Sequence, residues 1–196
     1  MDTEELMSTI KKDLSYYTAS GGGVTFSGGE CLLQWEAVKE LAASCHALNI
    51  HTTVESALFV PWHNIEQVLD HIDLFYADLK LADPEQHRRY TGQDNMLILE
   101  NLQLLSERHH NVTVRIPLIP GVNDSAEELN AMGQILRRLG SGVKNVELLK
   151  YNILGASKYP AVGLEYTAFA PAAQSDEEMK KACGLLEEVC GLSCSF

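Results

Sequence analysis

Leu74-Phe75-Tyr76-Ala77-Asp78-Leu79-Lys80, followed by Leu81-Ala82-Asp83-Pro84, changes its period midway. The first half is apolar and aromatic, the composition of a strand buried on both faces. Asp78 and Lys80 are two residues apart and therefore share one face near the carboxyl end of that strand. Asp83 and Pro84 then supply an N-cap and a first helical residue, so a helix opens. A strand that carries its polar groups at its end and passes into a helix is the repeating unit of a parallel α/β fold.

The same rhythm extends both ways. Strands are expected at Val24-Thr25-Phe26-Ser27, Ile50 to Glu55, Leu74 to Leu79, Val112 to Leu118 and Val146 to Tyr151. Helices are expected between them. One runs from about Thr3 to Thr18, with Leu6, Ile10, Leu14 and Tyr17 on a stripe. A second runs from about Leu33 to Leu48, with Val38, Leu41, Ala42 and Cys45 at i, i+3, i+4 and i+7 and Asn49 as a C-cap. Others lie near Trp62 to His71 and Leu97 to Arg108. Capping boxes Ser125-x-x-Glu128 and Ser175-x-x-Glu178 open the last two. Strands separated by helices form right-handed crossovers and a parallel sheet. Five successive β/α units point to a barrel or part of one, with a doubly wound sheet as the alternative at this level.

A formal net charge of −12 argues against a nucleic-acid partner, because phosphate binding calls for a basic face. No stretch approaches the ~20 apolar residues of a membrane helix, and Met1-Asp2-Thr3-Glu4-Glu5 has neither the basic nor the apolar part of a signal peptide. A cytoplasmic location is expected. Cys31, Cys45, Cys183, Cys190 and Cys194 are odd in number and irregular in spacing, which suggests no disulfide framework. Cys183 and Cys190 are one heptad apart and are expected on one apolar helix face.

Polar residues collect where strands end. Gly28-Gly29-Glu30 follows the first strand, Glu55-Ser56 ends the second, Asp78 and Lys80 end the third, Arg115 lies on the fourth, and Tyr151-Asn152 ends the fifth. In a parallel barrel that rim binds ligands. Purely structural roles compete with this reading: Asp78 and Lys80 as an ion pair, Arg115 bound to a neighbouring carboxylate, the glycine pairs as ordinary turns. Gly21-Gly22-Gly23 precedes its strand and reads as a tight connection, whereas Gly28-Gly29 lies on the ligand side, where small residues let a ligand approach the backbone. His109 and His110 read as solvated loop residues, and His87 stays ambiguous.

Ala19 to Glu30, with its Gly-Gly-Glu, resembles the corresponding segment of the activating enzymes of pyruvate formate-lyase and its relatives, within the radical S-adenosylmethionine (SAM) superfamily. Asp78-Leu79-Lys80 with Asp83, His87, Thr91 and Gly92 is similar to a second family segment, and Arg115-Ile116-Pro117-Leu118-Ile119-Pro120-Gly121-Val122-Asn123-Asp124 to a third. Val146 to Asn152 with Leu154, Gly155 and Tyr159 is similar to the family's last strand and loop. The resemblance covers essentially the whole chain. It implies a partial parallel (β/α) barrel of the radical SAM type with five of six β/α units, residues 1–196 forming a single incomplete domain that lacks the first strand and the cluster-binding loop.

It further implies SAM and a [4Fe-4S] cluster as cofactors. Their reaction yields a 5′-deoxyadenosyl radical that takes hydrogen from a glycine of a glycyl-radical enzyme, pyruvate formate-lyase-like, with flavodoxin or ferredoxin as electron donor in anaerobic metabolism. Carried over by residue, Gly28, Gly29 and Glu30 lie along the amino end of SAM, Asp78 and Lys80 meet its carboxylate and ribose region with Arg115 nearby, and Asn152 stands near the adenosyl group where some relatives have histidine. Glu55 and Ser56, with Asp78, stand where a relative holds a monovalent cation. The family's C-x3-C-x2-C loop does not occur in these 196 residues, so the chain by itself is expected to be inactive and to bind SAM weakly. Two other readings are a non-catalytic module that docks a glycyl-radical enzyme and a metal-dependent barrel lyase using Glu55 and Asp78. The resemblance leaves open which glycyl-radical enzyme is the partner.

Overall fold

The computed structural model describes residues 2–154, 158–165, 168–170 and 172–196; Gly155 of the last motif lies outside them. Six parallel strands form one sheet in chain order: β1 (Gly23–Phe26), β2 (His51–Ser56), β3 (Leu74–Asp78), β4 (Val112–Leu118), β5 (Val143–Lys150) and β6 (Ser193–Ser195). The helices between them are α1 (Thr3–Ile10), α2 (Leu14–Ser20), α3 (Trp35–His46), α4 (Trp62–Glu66), α5 (Pro84–Thr91), α6 (Met96–Arg108), α7 (Ala126–Leu136), α8 (Lys158–Ala161) and α9 (Asp176–Cys190). Parallel neighbours need long crossovers, and helices supply them. Among the described residues no helix is long and apolar enough to cross a membrane.

The chain divides into two compact units. The first comprises Met1–Asp78, Met96–Thr113 and Leu139–Lys144. In it β1 pairs with β2 from Gly23 opposite His51, and β2 pairs with β3 from Thr53 opposite Leu74. Gly23 is required at that first pair, because an added Cβ would lie 1.8 Å from the His51 carbonyl oxygen. The expected stripe Val38, Leu41, Ala42 and Cys45 of α3 is buried, together with Val54, Phe75, Leu102 and Leu105. The expected C-cap at Asn49 is not the one formed: α3 ends at His46 with Ala47 as its cap, and Asn49, with φ 55°, lies in the turn that follows.

The second unit comprises Leu79–Asn95, Val114–Arg138 and Asn145–Phe196. Its core includes Ile116, Leu118, Leu129, Met132, Leu148, Met179 and Leu186, with Cys183 and Cys190 buried on α9 as their spacing implies. α7 packs against α9 so closely that a Cβ on Gly133 would sit 2.7 Å from Val189 Cγ1. Asp83 caps α5 by accepting from the Gln86 amide, with Pro84 at its start. Ser175 and Glu178 form the full reciprocal box at α9.

Further expectations need correction, among them the helix near Trp62 to His71, which is α4 followed by a separate 3-10 turn at Leu69–His71. The helix expected over Thr3 to Thr18 is interrupted by a 3-10 turn at Lys11–Asp13. The Thr9 hydroxyl donates to the Glu5 carbonyl one turn back, a bond that bends helices. The Ser125 box is only half formed: Ser125 accepts from the Glu128 amide, but the Glu128 carboxylate instead accepts from the Ala82 amide. The sixth strand, Ser193–Ser195, is not among those expected, since three residues are too short a run to stand out; Gly191 (φ 74°) ends α9 and turns the chain so that Cys194 pairs opposite Val146. His109 is not solvated. It is 4% exposed, whereas His110 is exposed as expected.

Candidate functional site

In the first unit the carboxyl ends of β1, β2 and β3 carry the residues singled out from the sequence. Gly28 has φ 132°, and an added Cβ at Gly28 or Gly29 would meet nothing within 4 Å. The turn therefore exposes bare backbone, as close approach by a ligand requires. Glu30 faces the other way. Its carboxylate accepts from Ser56 Oγ at 3.0 Å, from the Ala57 amide at 3.1 Å and from the Leu32 amide at 3.2 Å. The glycine turn is thus tied to the loop after β2. Ser27 Oγ donates to Glu55 Oε2 at 3.0 Å, which ties the residue after β1 to the end of β2. Ser56 is buried, while Glu55 and Asp78 are half-buried.

Cys31 adjoins this turn, and its thiol donates toward the carbonyls of Phe26 (3.5 Å) and Glu55 (3.7 Å). Burial, aided by the Glu30 and Glu55 charges, pushes its pKa up to about 12. A thiol held protonated is a poor metal ligand. Among the described residues no group of three or more His, Cys, Asp or Glu could hold a metal ion, so they do not fit an iron–sulfur cluster.

In the second unit the loop after β3 is clamped by side chains. Asn123, 1% exposed, donates from Nδ2 to the Lys80 carbonyl at 2.7 Å and to the Pro117 carbonyl at 2.9 Å, while its Oδ1 accepts from the Ile119 amide at 2.7 Å. Asn95 Nδ2 donates to the carbonyls of Leu81 (2.8 Å) and Ala82 (3.1 Å). A cleft of about 200 Å³ opens beside Lys80, lined in part by Tyr90, Pro117 and Phe169. Arg115 Nε donates to Glu147 Oε2, so the neighbouring-carboxylate alternative for Arg115 is realised. Asn152 is exposed, and its Oδ1 accepts from the Leu154 amide. His87 is buried; its Nδ1 lies 2.6 Å from the Gln93 carbonyl, so that nitrogen carries the proton.

The bracing side chains Glu128, Asn95 and Asn101 and the partner carboxylate Glu147 escape a reading of the sequence for site residues. Asn101 left a trace: it interrupts the buried stripe Ile98, Leu102, Leu105 of α6. At the opposite, amino end of the strands in the first unit, Asp73 Oδ2 accepts from the Thr52 amide (2.7 Å), the Thr52 hydroxyl (3.0 Å) and His46 Nε2 (3.2 Å). Burial pushes the Asp73 pKa up, but these bonds outweigh it and leave it below the ordinary value. His109 Nε2 donates to the Ile72 carbonyl at 2.8 Å, and its Nδ1 accepts from the Asn111 amide at 3.2 Å.

Comparison with known proteins agrees with this architecture. The chain is 45% identical over 167 residues to the (2S)-3-sulfopropanediol dehydratase activating enzyme of Klebsiella oxytoca, covering 85% of this chain and 53% of that protein. It is 38% identical over 179 residues to the choline trimethylamine-lyase activating enzyme of Oleidesulfovibrio alaskensis, covering 90% and 58% respectively. The chain therefore spans only a little over half the length of these relatives. A crystal structure of a domain of pyruvate-formate lyase-activating enzyme from Bacteroides vulgatus superposes with a TM-score of 0.72 at 27% identity, covering 88% of this chain and 97% of that one. The Radical SAM superfamily profile matches residues 1–132, two-thirds of the sequence, and members of that family use SAM and a [4Fe-4S] cluster. With a parallel α/β sheet, polar residues at the strand ends and this match, the chain belongs to the Radical SAM superfamily.

Proposed function

We propose that residues 1–196 form the SAM-facing part of a glycyl-radical enzyme activating enzyme. The observation that carries this reading is the 45% and 38% identity, over most of the chain, to the activating enzymes of a dehydratase and of a lyase. When bound, SAM and the cluster together supply a 5′-deoxyadenosyl radical for hydrogen-atom abstraction from a glycine of a pyruvate formate-lyase-like partner. The described residues do not hold the cluster, and their roles concern SAM.

The open turn at Gly28 and Gly29 suits a ligand's amino end, because backbone carbonyls and amides there are not shielded by Cβ atoms. Glu30 sets the position of that turn through its bonds to Ser56 and Ala57. Asp78 and Lys80 bind the carboxylate and ribose region, Arg115 adds positive charge that Glu147 orients, and Asn152 meets the adenosyl group with a donor and an acceptor. Glu55, Ser56 and Asp78 form a monovalent-cation site. The electron donor is flavodoxin or ferredoxin, and the protein works in the cytoplasm.

Equilibrium dialysis of labelled SAM against the isolated chain tests this. The chain binds SAM weakly and reversibly, Lys80→Met and Asp78→Asn weaken it, and Gly29→Val abolishes it by placing a side chain where the ligand lies. Binding unaffected by Gly29→Val, or no binding at millimolar SAM, overturns the assignment.

A further inference from the structure

We propose that Asn101, on α6, is a positioning residue for the rim of the first unit: it holds the loop after β2, which carries Glu55 and Ser56, in a strained conformation. Leu58 in that loop is fully buried and has φ 58°. The left-handed region is unfavourable for a bulky residue and persists only where its surroundings impose it. Asn101 Nδ2 donates to the Leu58 carbonyl and to the Val60 carbonyl, each at 2.8 Å. Ser56 Oγ accepts from the Leu58 amide at 2.9 Å, and Glu30 accepts from the Ala57 amide. Backbone groups of Ala57, Leu58 and Val60 are thus held by the side chains of Glu30, Ser56 and Asn101.

The orientation of the Asn101 amide is dictated by chemistry. Carbonyl oxygens only accept, so the NH2 group faces them and Oδ1 points away. That Oδ1 is buried and has no partner among the described residues. The unmet Oδ1 is costly, but a leucine, which would continue the apolar stripe of Ile98, Leu102 and Leu105, would leave the Leu58 and Val60 carbonyls unmet instead. The compensating gain is the geometry of the loop, because Ser56, which accepts from the Leu58 amide, also donates to Glu30 beside the glycine turn. Asn95 clamps the Leu81 and Ala82 carbonyls in the second unit in the same manner, again with a buried, unpartnered Oδ1. Buried asparagines that immobilise the loops after strands are what a preorganised binding rim requires.

This inference rests on the SAM reading for its consequence but not for its geometry, and the experiment separates the two. Amide hydrogen exchange is measured by NMR on the chain and on Asn101→Leu, with Ser56→Ala as a second variant, alongside thermal unfolding and SAM dialysis. Asn101→Leu leaves the buried Leu58 and Val60 carbonyls without their donor and lowers the melting temperature, and Ala57 and Leu58 exchange at least about tenfold faster relative to Val54 in β2. SAM affinity falls about tenfold, the equivalent of one lost hydrogen bond. Ser56→Ala accelerates the same two amides. Unchanged exchange at Ala57 and Leu58, or equal acceleration throughout the first unit, overturns the positioning role. So does loosened exchange with unaltered SAM affinity in a chain that binds SAM. Failure of the unsubstituted chain to bind SAM overturns the proposed function instead, and loop exchange alone then decides the clamp.

Discussion

His109 makes the stability of the first unit depend on pH. Its ring lies edge-on to Phe75 at 4.8 Å between centroids and stacks on His110 at 5.0 Å. Both nitrogens are engaged: Nε2 donates to the Ile72 carbonyl, and Nδ1 accepts from the Asn111 amide. A second proton on Nδ1 would face that N–H and place a cation in a buried site. Burial accordingly lowers the His109 pKa, with the neighbouring His110 adding to the effect and outweighing the bonds and the Asp73 charge that act against it. A histidine depressed in the folded state binds a proton more readily when unfolded. Stability is therefore fully present above the unfolded value of about 6.5 and declines as pH falls through it, until the folded value is reached. One proton of difference gives a slope of up to about 1.4 kcal/mol per pH unit. Asp73 does not contribute here, because its stabilisation is lost only as pH falls below the ordinary carboxylate range. Urea unfolding from pH 7.5 to 5.0 at 0.15 M salt, followed by circular dichroism, compares the chain with His109→Gln. The variant loses the Asn111 bond at every pH and is less stable at pH 7.5, but its profile between 6.5 and 5.5 is flatter. Parallel profiles for the two proteins would refute the argument.

Gly23→Ala forces a Cβ against the His51 carbonyl, where only backbone could give way. It lowers unfolding free energy by about 1–3 kcal/mol, the range for an overpacked site, and a loss below about 0.5 kcal/mol in a denaturant titration contradicts the β1–β2 register. Cys31 is alkylated about a hundredfold more slowly at pH 8 than an exposed cysteine, since scarcity of thiolate outweighs its greater nucleophilicity. Peptide mass spectrometry after timed iodoacetamide treatment reads this out, and labelling at the rate of a free thiol counts against the burial of its sulfur. The isolated chain, reduced with dithionite in the presence of SAM, forms no 5′-deoxyadenosine, because the cysteines at hand do not assemble a cluster; chromatographic detection of that product refutes this.

Much of the architecture was legible along the chain because it depends on local periodicity. Strand β4 coincides with its expected bounds, since Val112, Val114, Ile116 and Leu118 alternate with Thr113, Arg115 and Pro117 at the period of a strand. The stripe of α3 and the capping of α5 and α9 follow from i, i+3, i+4 spacing and from cap chemistry. Strand β6 was not legible: it is three residues long and exists because β5 offers it an edge after the turn at Gly191.

Sequence alone determined the fold class, the family and the placement of Gly28, Glu55 and Asp78 at or near strand ends and of Arg115 on β4, because alternation of strand and helix, and the residue types at each boundary, are properties of neighbours in the chain. Tertiary structure decided which of those side chains face a ligand and which hold the scaffold. Glu30 turned out to bind Ser56 and Ala57, Arg115 to bind Glu147, and His109 to be buried, while Asn101 reaches a loop 41 and 43 residues away. Such partnerships join residues whose separation along the chain carries no signal, and only packing settles which donor meets which acceptor.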